Sequence, residues 1–131
     1  MALRVGVDLV TIDSVKRSVE SQGERYLQRV YTRRELADCA TPDGFAPERL
    51  AARFAAKEAT VKVLRPDSGQ ALPWRCMEVV RLGSGAVELE LSGAALEMAD
   101  AAGIEGLQLS LTHEGLQACA VVIAELRDGC R

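Results

Sequence analysis

Residues Ala118–Ala124 read Ala-Cys-Ala-Val-Val-Ile-Ala and are apolar at every position. A strand sends alternate side chains to opposite faces, so a run apolar on both faces needs cover on both. The segment is therefore read as the centre of a sheet. Aromatic residues make up only 4% of the chain, so the surrounding core must come from Leu, Val, Ile and Ala. With 131 residues there is enough chain for one domain, 1–131, with its own core.

The other elements follow from local signals. Leu3, Val5, Val7 and Leu9 alternate with Arg4, Gly6, Asp8 and Val10, which predicts an opening strand. Asp13 or Ser14 starts a helix that Gly23 ends, and a short helix runs Glu24–Tyr31. Thr32 followed by Glu35 reads as a capping box. A turn at 41–44 precedes the main helix, Pro47 to Leu64, with Pro in its first turn and Pro66 just beyond its end. Strands are predicted at Cys76–Leu82, Val87–Leu91, Leu107–Thr112 and Gln117–Leu126, with a helix from Ser92 to Ala102. The order β-α-α-α-β-β-α-β-β indicates an α+β fold, with a mainly antiparallel sheet and a long central helix.

Several function classes recede at this point. The net charge is −3, against the basic balance of nucleic-acid binders. No apolar run of 18 residues exists to span a membrane, and the N-terminus lacks a signal peptide's apolar core. Cys39, Cys76, Cys119 and Cys130 form no Cys-x-x-Cys pair, which favours reduced thiols in a cytoplasmic protein. The opening Met and the full run of elements favour a free-standing protein.

Four constellations could carry chemistry. Asp8 sits near a strand end, two residues after Gly6, and the glycine is read as leaving room for a ligand beside the carboxylate. On the main helix, Leu50, Phe54 and Val61 form an apolar stripe, with Glu58 and Lys62 on one side and Lys57 on the other. Glu58 and Lys62 could be a surface ion pair. The alternative is a carboxylate that holds a divalent cation while the two lysines offset phosphate charge. Ser110-Leu-Thr-His113 closes a strand; the histidine is either structural or a donor to phosphate. Lys16, Arg17, Arg25, Arg29, Arg33 and Arg34 concentrate positive charge, either as a solvated face or as a docking patch anchored by Tyr26.

Taken in order, Gly6-Val-Asp8-Leu-Val, Thr32-x-x-Glu35, Arg53-Phe-Ala-Ala-Lys57-Glu58-Ala-x-x-Lys62 and Ser110-Leu-Thr-His113 resemble holo-[acyl-carrier-protein] synthase. These are the short, single-domain 4′-phosphopantetheinyl transferases. The resemblance spans about residues 3–126, and the Phe-x-x-Lys-Glu-Ala-x-x-Lys block is its most specific part. It implies transfer of phosphopantetheine from coenzyme A to a serine of an acyl carrier protein, leaving 3′,5′-ADP. It further implies Mg²⁺ held by Asp8 and Glu58, with Glu58 as candidate base for the serine. Lys62 would act on the leaving phosphate, and Arg53, Lys62, Ser110 and His113 would hold the nucleotide phosphates. Lys16, Arg17, Arg25, Tyr26 and Arg29 would dock the carrier. A homotrimer with sites between protomers is implied as well.

Three positions depart from the family pattern: Ser14 where an arginine is common, Arg65-Pro66 in place of a glycine-containing loop, and Val87 where the turn usually carries Pro. They widen the carrier expectation from fatty-acid synthesis to polyketide synthesis. A Mg²⁺-dependent phosphohydrolase using Asp8 and Glu58, and a catalytically silent carrier-binding module, are the rival readings.

Overall fold

A computed structural model describes residues Met1–Arg131. The elements are β1 (Ala2–Thr11), α1 (Ile12–Gln22), α2 (Glu24–Val30), α3 (Arg33–Cys39), β2 (Ala40–Thr41), β3 (Gly44–Phe45) and α4 (Pro47–Leu64). A 3-10 turn at Trp74–Cys76 leads into β4 (Met77–Arg81), β5 (Val87–Leu91), α5 (Gly93–Ala102), β6 (Ile104–Glu114) and β7 (Gln117–Leu126). The α+β class stands, and every strand pair is antiparallel. There is one more helix before β4 than the sequence order counted. α3, which begins at the Thr32 capping box, is an element of its own.

The main sheet has the order β1-β7-β6, so β7 is its central strand. The predicted cover on both sides is not present within one chain. Ala118, Ala120, Val122, Ala124 and Leu126 are buried, whereas Ile123, on the opposite face, is 40% exposed. The same asymmetry governs β1. Its apolar set, Leu3, Val5, Val7 and Leu9, is 53–68% exposed, and its less apolar set, Arg4, Gly6, Asp8 and Val10, faces α4.

The reason is close packing. α4 presents Ala51, Ala52, Ala55, Ala56 and Ala59 as buried residues, and β7 answers with Ala118, Ala120 and Ala124. Small side chains let helix and sheet approach closely. At Gly6 the approach is tightest: a Cβ there would overlap the Ala59 carbonyl oxygen and press on Val63. Gly6 is thus a contact point for the helix, and the ligand space expected beside it is filled by α4.

Candidate active site

Asp8 lies on the inner face of β1, and Glu58 and Lys62 lie one turn apart on α4. The contact at Gly6 brings these elements together. Lys62 Nζ donates to Asp8 Oδ1 at 3.2 Å and to the Val7 carbonyl at 2.8 Å. Glu58 is half-buried beside them. Burial raises its pKa above the ordinary value, the Asp8 charge raises it further, and Lys62 acts in the opposite direction. Two carboxylates therefore sense each other across one ammonium group, in a place open enough for a ligand. The Asp8 side chain is 17% exposed and that of Lys62 53%.

An aromatic pair lies one helical turn before Glu58. Phe54, one turn earlier on α4, packs on Trp74 with ring centroids 5.2 Å apart and planes at 55°. Of the stripe expected from Leu50, Phe54 and Val61, Leu50 is buried in the main core, Phe54 packs at its edge and Val61 packs against the smaller cluster around Leu64 and Met77.

Lys57 is not a phosphate contact. It is fully buried and uses all three of its protons: on Glu35 Oε1 at 2.8 Å, on the Met77 carbonyl at 2.7 Å and on the Trp74 carbonyl at 3.1 Å. Burial lowers its pKa, while Glu35 opposes that shift. Glu35 is equally committed. Its Oε1 also accepts from Thr32 N at 2.9 Å and its Oε2 from Val79 N at 2.9 Å. The capping box located Glu35 correctly, since Thr32 accepts from Glu35 N. The second role of Glu35, tying α3 to α4 and β4, joins residues distant in sequence and had no local signal. The Val7 carbonyl was missed for a similar reason, because every residue type carries one.

The remaining candidates are dispersed. Arg53 is 5% exposed; its Nη1 donates to the Arg49 carbonyl at 3.3 Å, and its Nε is buried without a partner. Ser110 pairs with Val121 and so shares the outer face with Val7, away from Asp8. His113 pairs with Ala118, on the inner face, but two strands across and two residues along from Asp8. That is a separation of roughly 10 Å across and ~7 Å along the sheet. Within one chain neither reaches Glu58. Lys16, Arg17, Arg25 and Arg29 are exposed on α1 and α2, with Arg17 bound to Asp13 at 2.8 Å. Tyr26 cannot anchor a partner: it is buried, edge-to-face with Tyr31. Ser14 turns its hydroxyl back onto the Thr11 carbonyl at 2.7 Å. Arg65 adopts a left-handed conformation at the end of α4, φ 55°, where glycine fits best.

Comparison with known proteins fits this arrangement. The 4′-phosphopantetheinyl transferase superfamily model matches residues 4–119. The holo-[acyl-carrier-protein] synthase of Maridesulfovibrio salexigens is 38% identical over 125 residues, covering 95% of this chain and 99% of the relative. Among solved structures, the Chronobacterium ammoniagenes ACPS–CoA complex superposes with a TM-score of 0.84 at 28% identity, covering 97% of this chain and 99% of that one. The Helicobacter pylori holo-[acyl-carrier-protein] synthase in complex with coenzyme A gives 0.80 at 26% identity, covering 93% and 100%. With α4 carrying Glu58 and Lys62 against Asp8 of β1, and with relatives matched along nearly their whole length, the chain belongs to the holo-[acyl-carrier-protein] synthases of the 4′-phosphopantetheinyl transferase superfamily.

Proposed function

We propose that this chain moves the 4′-phosphopantetheine group of coenzyme A onto a serine of an apo acyl carrier protein, with Mg²⁺ bound between Asp8 and Glu58. The observation that carries this reading is the half-exposed Asp8–Lys62 ion pair beside a Glu58 whose carboxylate is disfavoured by burial and by Asp8. The donor set fits the metal. It offers two hard carboxylates, with no third His, Cys, Asp or Glu close enough to complete a cage. Mg²⁺ takes one or two carboxylates and fills its octahedron with phosphate oxygens and water.

When bound, the metal supplies positive charge to the pyrophosphate oxygens. The chain's own residues do the rest. Glu58 accepts the proton of the serine hydroxyl. As the serine Oγ–P bond forms, the P–O bond to 3′,5′-ADP breaks. Lys62, already aimed into the site by the Val7 carbonyl, places its charge against the departing phosphate oxygen.

The protein acts as a homotrimer. This reading is supported by the exposed apolar face of Leu3, Val5, Val7 and Leu9, continuous with Val121 and Ile123 of β7. An interface there would let Ser110, which lies on that face, serve the phosphates bound by the next protomer, with His113 reaching them from the exposed end of β6. Lys16, Arg17, Arg25 and Arg29 then form the basic face for an acidic carrier of fatty-acid or polyketide synthesis. The setting is cytoplasmic: all four cysteines are free, and no helix is long and apolar enough to cross a membrane.

The test is intact-mass spectrometry of apo carriers from both pathways, each incubated with this protein, coenzyme A and Mg²⁺. A gain of one phosphopantetheine group that chelator abolishes is expected. Coenzyme A breakdown without carrier would favour the phosphohydrolase instead.

A further inference from the structure

Lys62 has two carboxylates within its reach and bonds the distant one. It stands four residues after Glu58 on α4, the order that favours an ion pair along a helix. It nevertheless bonds Asp8, 54 residues away, and Glu58 has no ion-pair partner. The Val7 carbonyl accounts for the choice. β1 is an edge strand, and this carbonyl accepts from Lys62 Nζ at 2.8 Å while Asp8 Oδ1 accepts at 3.2 Å. A carbonyl and a carboxylate together give the ammonium a two-point anchor that Glu58 alone does not offer.

The anchor is firm but reversible. The Lys62 side chain is 53% exposed, and its third proton has no acceptor in the chain. Lys57, five residues earlier, shows the opposite case: it is fully buried and all three of its protons are taken. Lys62 can therefore turn to a new anion without stranding itself in the core, and Lys57 cannot. In the free chain the Lys62 ammonium thus covers one member of the carboxylate pair assigned to the divalent cation. A cation that approaches Asp8 meets a positive charge already bound there, and like charges repel. A pyrophosphate beside the pair changes the balance, because its oxygens are charged acceptors to which Lys62 can transfer.

We propose that Lys62 guards the cation site: it holds Asp8 until a pyrophosphate arrives, so that the divalent cation and coenzyme A bind tightly only together. The proposal rests on the phosphopantetheine reading above and adds an order of events to it. Before loading, Lys62 supplies the positive charge that Asp8 needs. After loading, the same ammonium lies on phosphate oxygens, and both carboxylates are free for the cation. The coupling is reciprocal: the factor by which coenzyme A raises cation affinity equals the factor by which the cation raises coenzyme A affinity.

The experiment uses Mn²⁺ as the probe and reads free Mn²⁺ by electron paramagnetic resonance, with no carrier present so that no transfer takes place. Wild type, Lys62→Met and Lys62→Gln are titrated with and without coenzyme A, with coenzyme A alone as the blank. Without coenzyme A, both variants should bind Mn²⁺ about tenfold more tightly than wild type, a change within the usual range of coupling between sites. The gain should vanish when Asp8→Asn is added to Lys62→Met. Coenzyme A should raise the Mn²⁺ affinity of wild type by a larger factor than that of either variant. The proposal is overturned if either variant binds Mn²⁺ no more tightly than wild type, or if none of the three binds it. A gain that survives Asp8→Asn, or an equal effect of coenzyme A on all three proteins, overturns it as well. The parent reading is judged apart, on wild type with Mg²⁺, coenzyme A and apo carrier: phosphopantetheine transfer seen by intact mass leaves it standing whatever Lys62 does, and no transfer overturns the parent reading itself.

Discussion

Lys57 and Glu58 are neighbours on α4, yet they belong to opposite kinds of structure. Lys57 points into a sealed pocket where each of its protons has an acceptor and both oxygens of its partner Glu35 have donors. Glu58 points to a half-open rim where its charge is opposed by Asp8 and only partly balanced by Lys62. A satisfied buried pair locks elements together and has nothing left to offer a ligand. An incompletely balanced pair of carboxylates at the surface is what the proposed Mg²⁺ site requires. One residue of helix, about 100° of rotation, separates support from chemistry.

The contrast can be broken from the supporting side first. Lys57→Met strands the Glu35 charge in the core and should cost about 3–5 kcal/mol in urea unfolding. Adding Glu35→Gln should recover part of the loss, because the amide oxygen can still accept from Val79 N. A single variant as stable as wild type would show that the pair locks nothing. From the chemical side, Glu58→Gln should lower transfer by about 10²–10⁴-fold. Its unfolding free energy should stay within ~0.5 kcal/mol of wild type, since the side chain is half-exposed. Large losses at both positions in both assays would erase the distinction.

A subtler test reads Glu58 directly. Its folded pKa is raised, so the fold favours the protonated form. The associated stability is present below the ordinary carboxyl pKa of 4.5 and is lost as pH rises through the folded value. In metal-free protein followed by carbon NMR, Asp8→Asn should move the Glu58 titration down and Lys62→Met should move it up. Opposite signs would mean that Asp8 and Lys62 do not face Glu58 as described. The smallest effect concerns Arg65. Arg65→Gly relieves a left-handed arginine and should stabilise the chain by about 1 kcal/mol, measured by thermal melting.

What the sequence revealed follows the same division between local and distant causes. α4 was legible to the residue because its start and stop signals, Pro47 and Pro66, are local. β7 was recognised as central from seven adjacent residues. The face that β1 buries was not legible. Leu3, Val5, Val7 and Leu9 form the more apolar set, but the inward choice is made by the fit of Gly6 under Ala59, 53 residues away (59 − 6). β6 begins earlier than expected, at Ile104, because an irregularity between Ile104 and Gly106 lets the strand continue past a glycine. Of the site, Asp8, Glu58 and Lys62 were readable and are adjacent in space. Lys57 and Tyr26 were misplaced because burial depends on partners from other elements. Ser110 and His113 sit where a single chain gives them no ligand in common with Asp8.

The alanine layer beneath α4 gives the core an unusual authority over the chemistry. Ala51, Ala55 and Ala59 are fully buried, and the fit of Gly6 under Ala59 fixes how closely α4, which carries Glu58, lies on β1, which carries Asp8. A change of one methyl group in this layer would act like turning a screw on a calliper whose jaws are the two carboxylates. The reactivity of such an enzyme can therefore drift through residues that never touch a substrate, and a lineage could retune its catalyst while every reactive side chain stays the same.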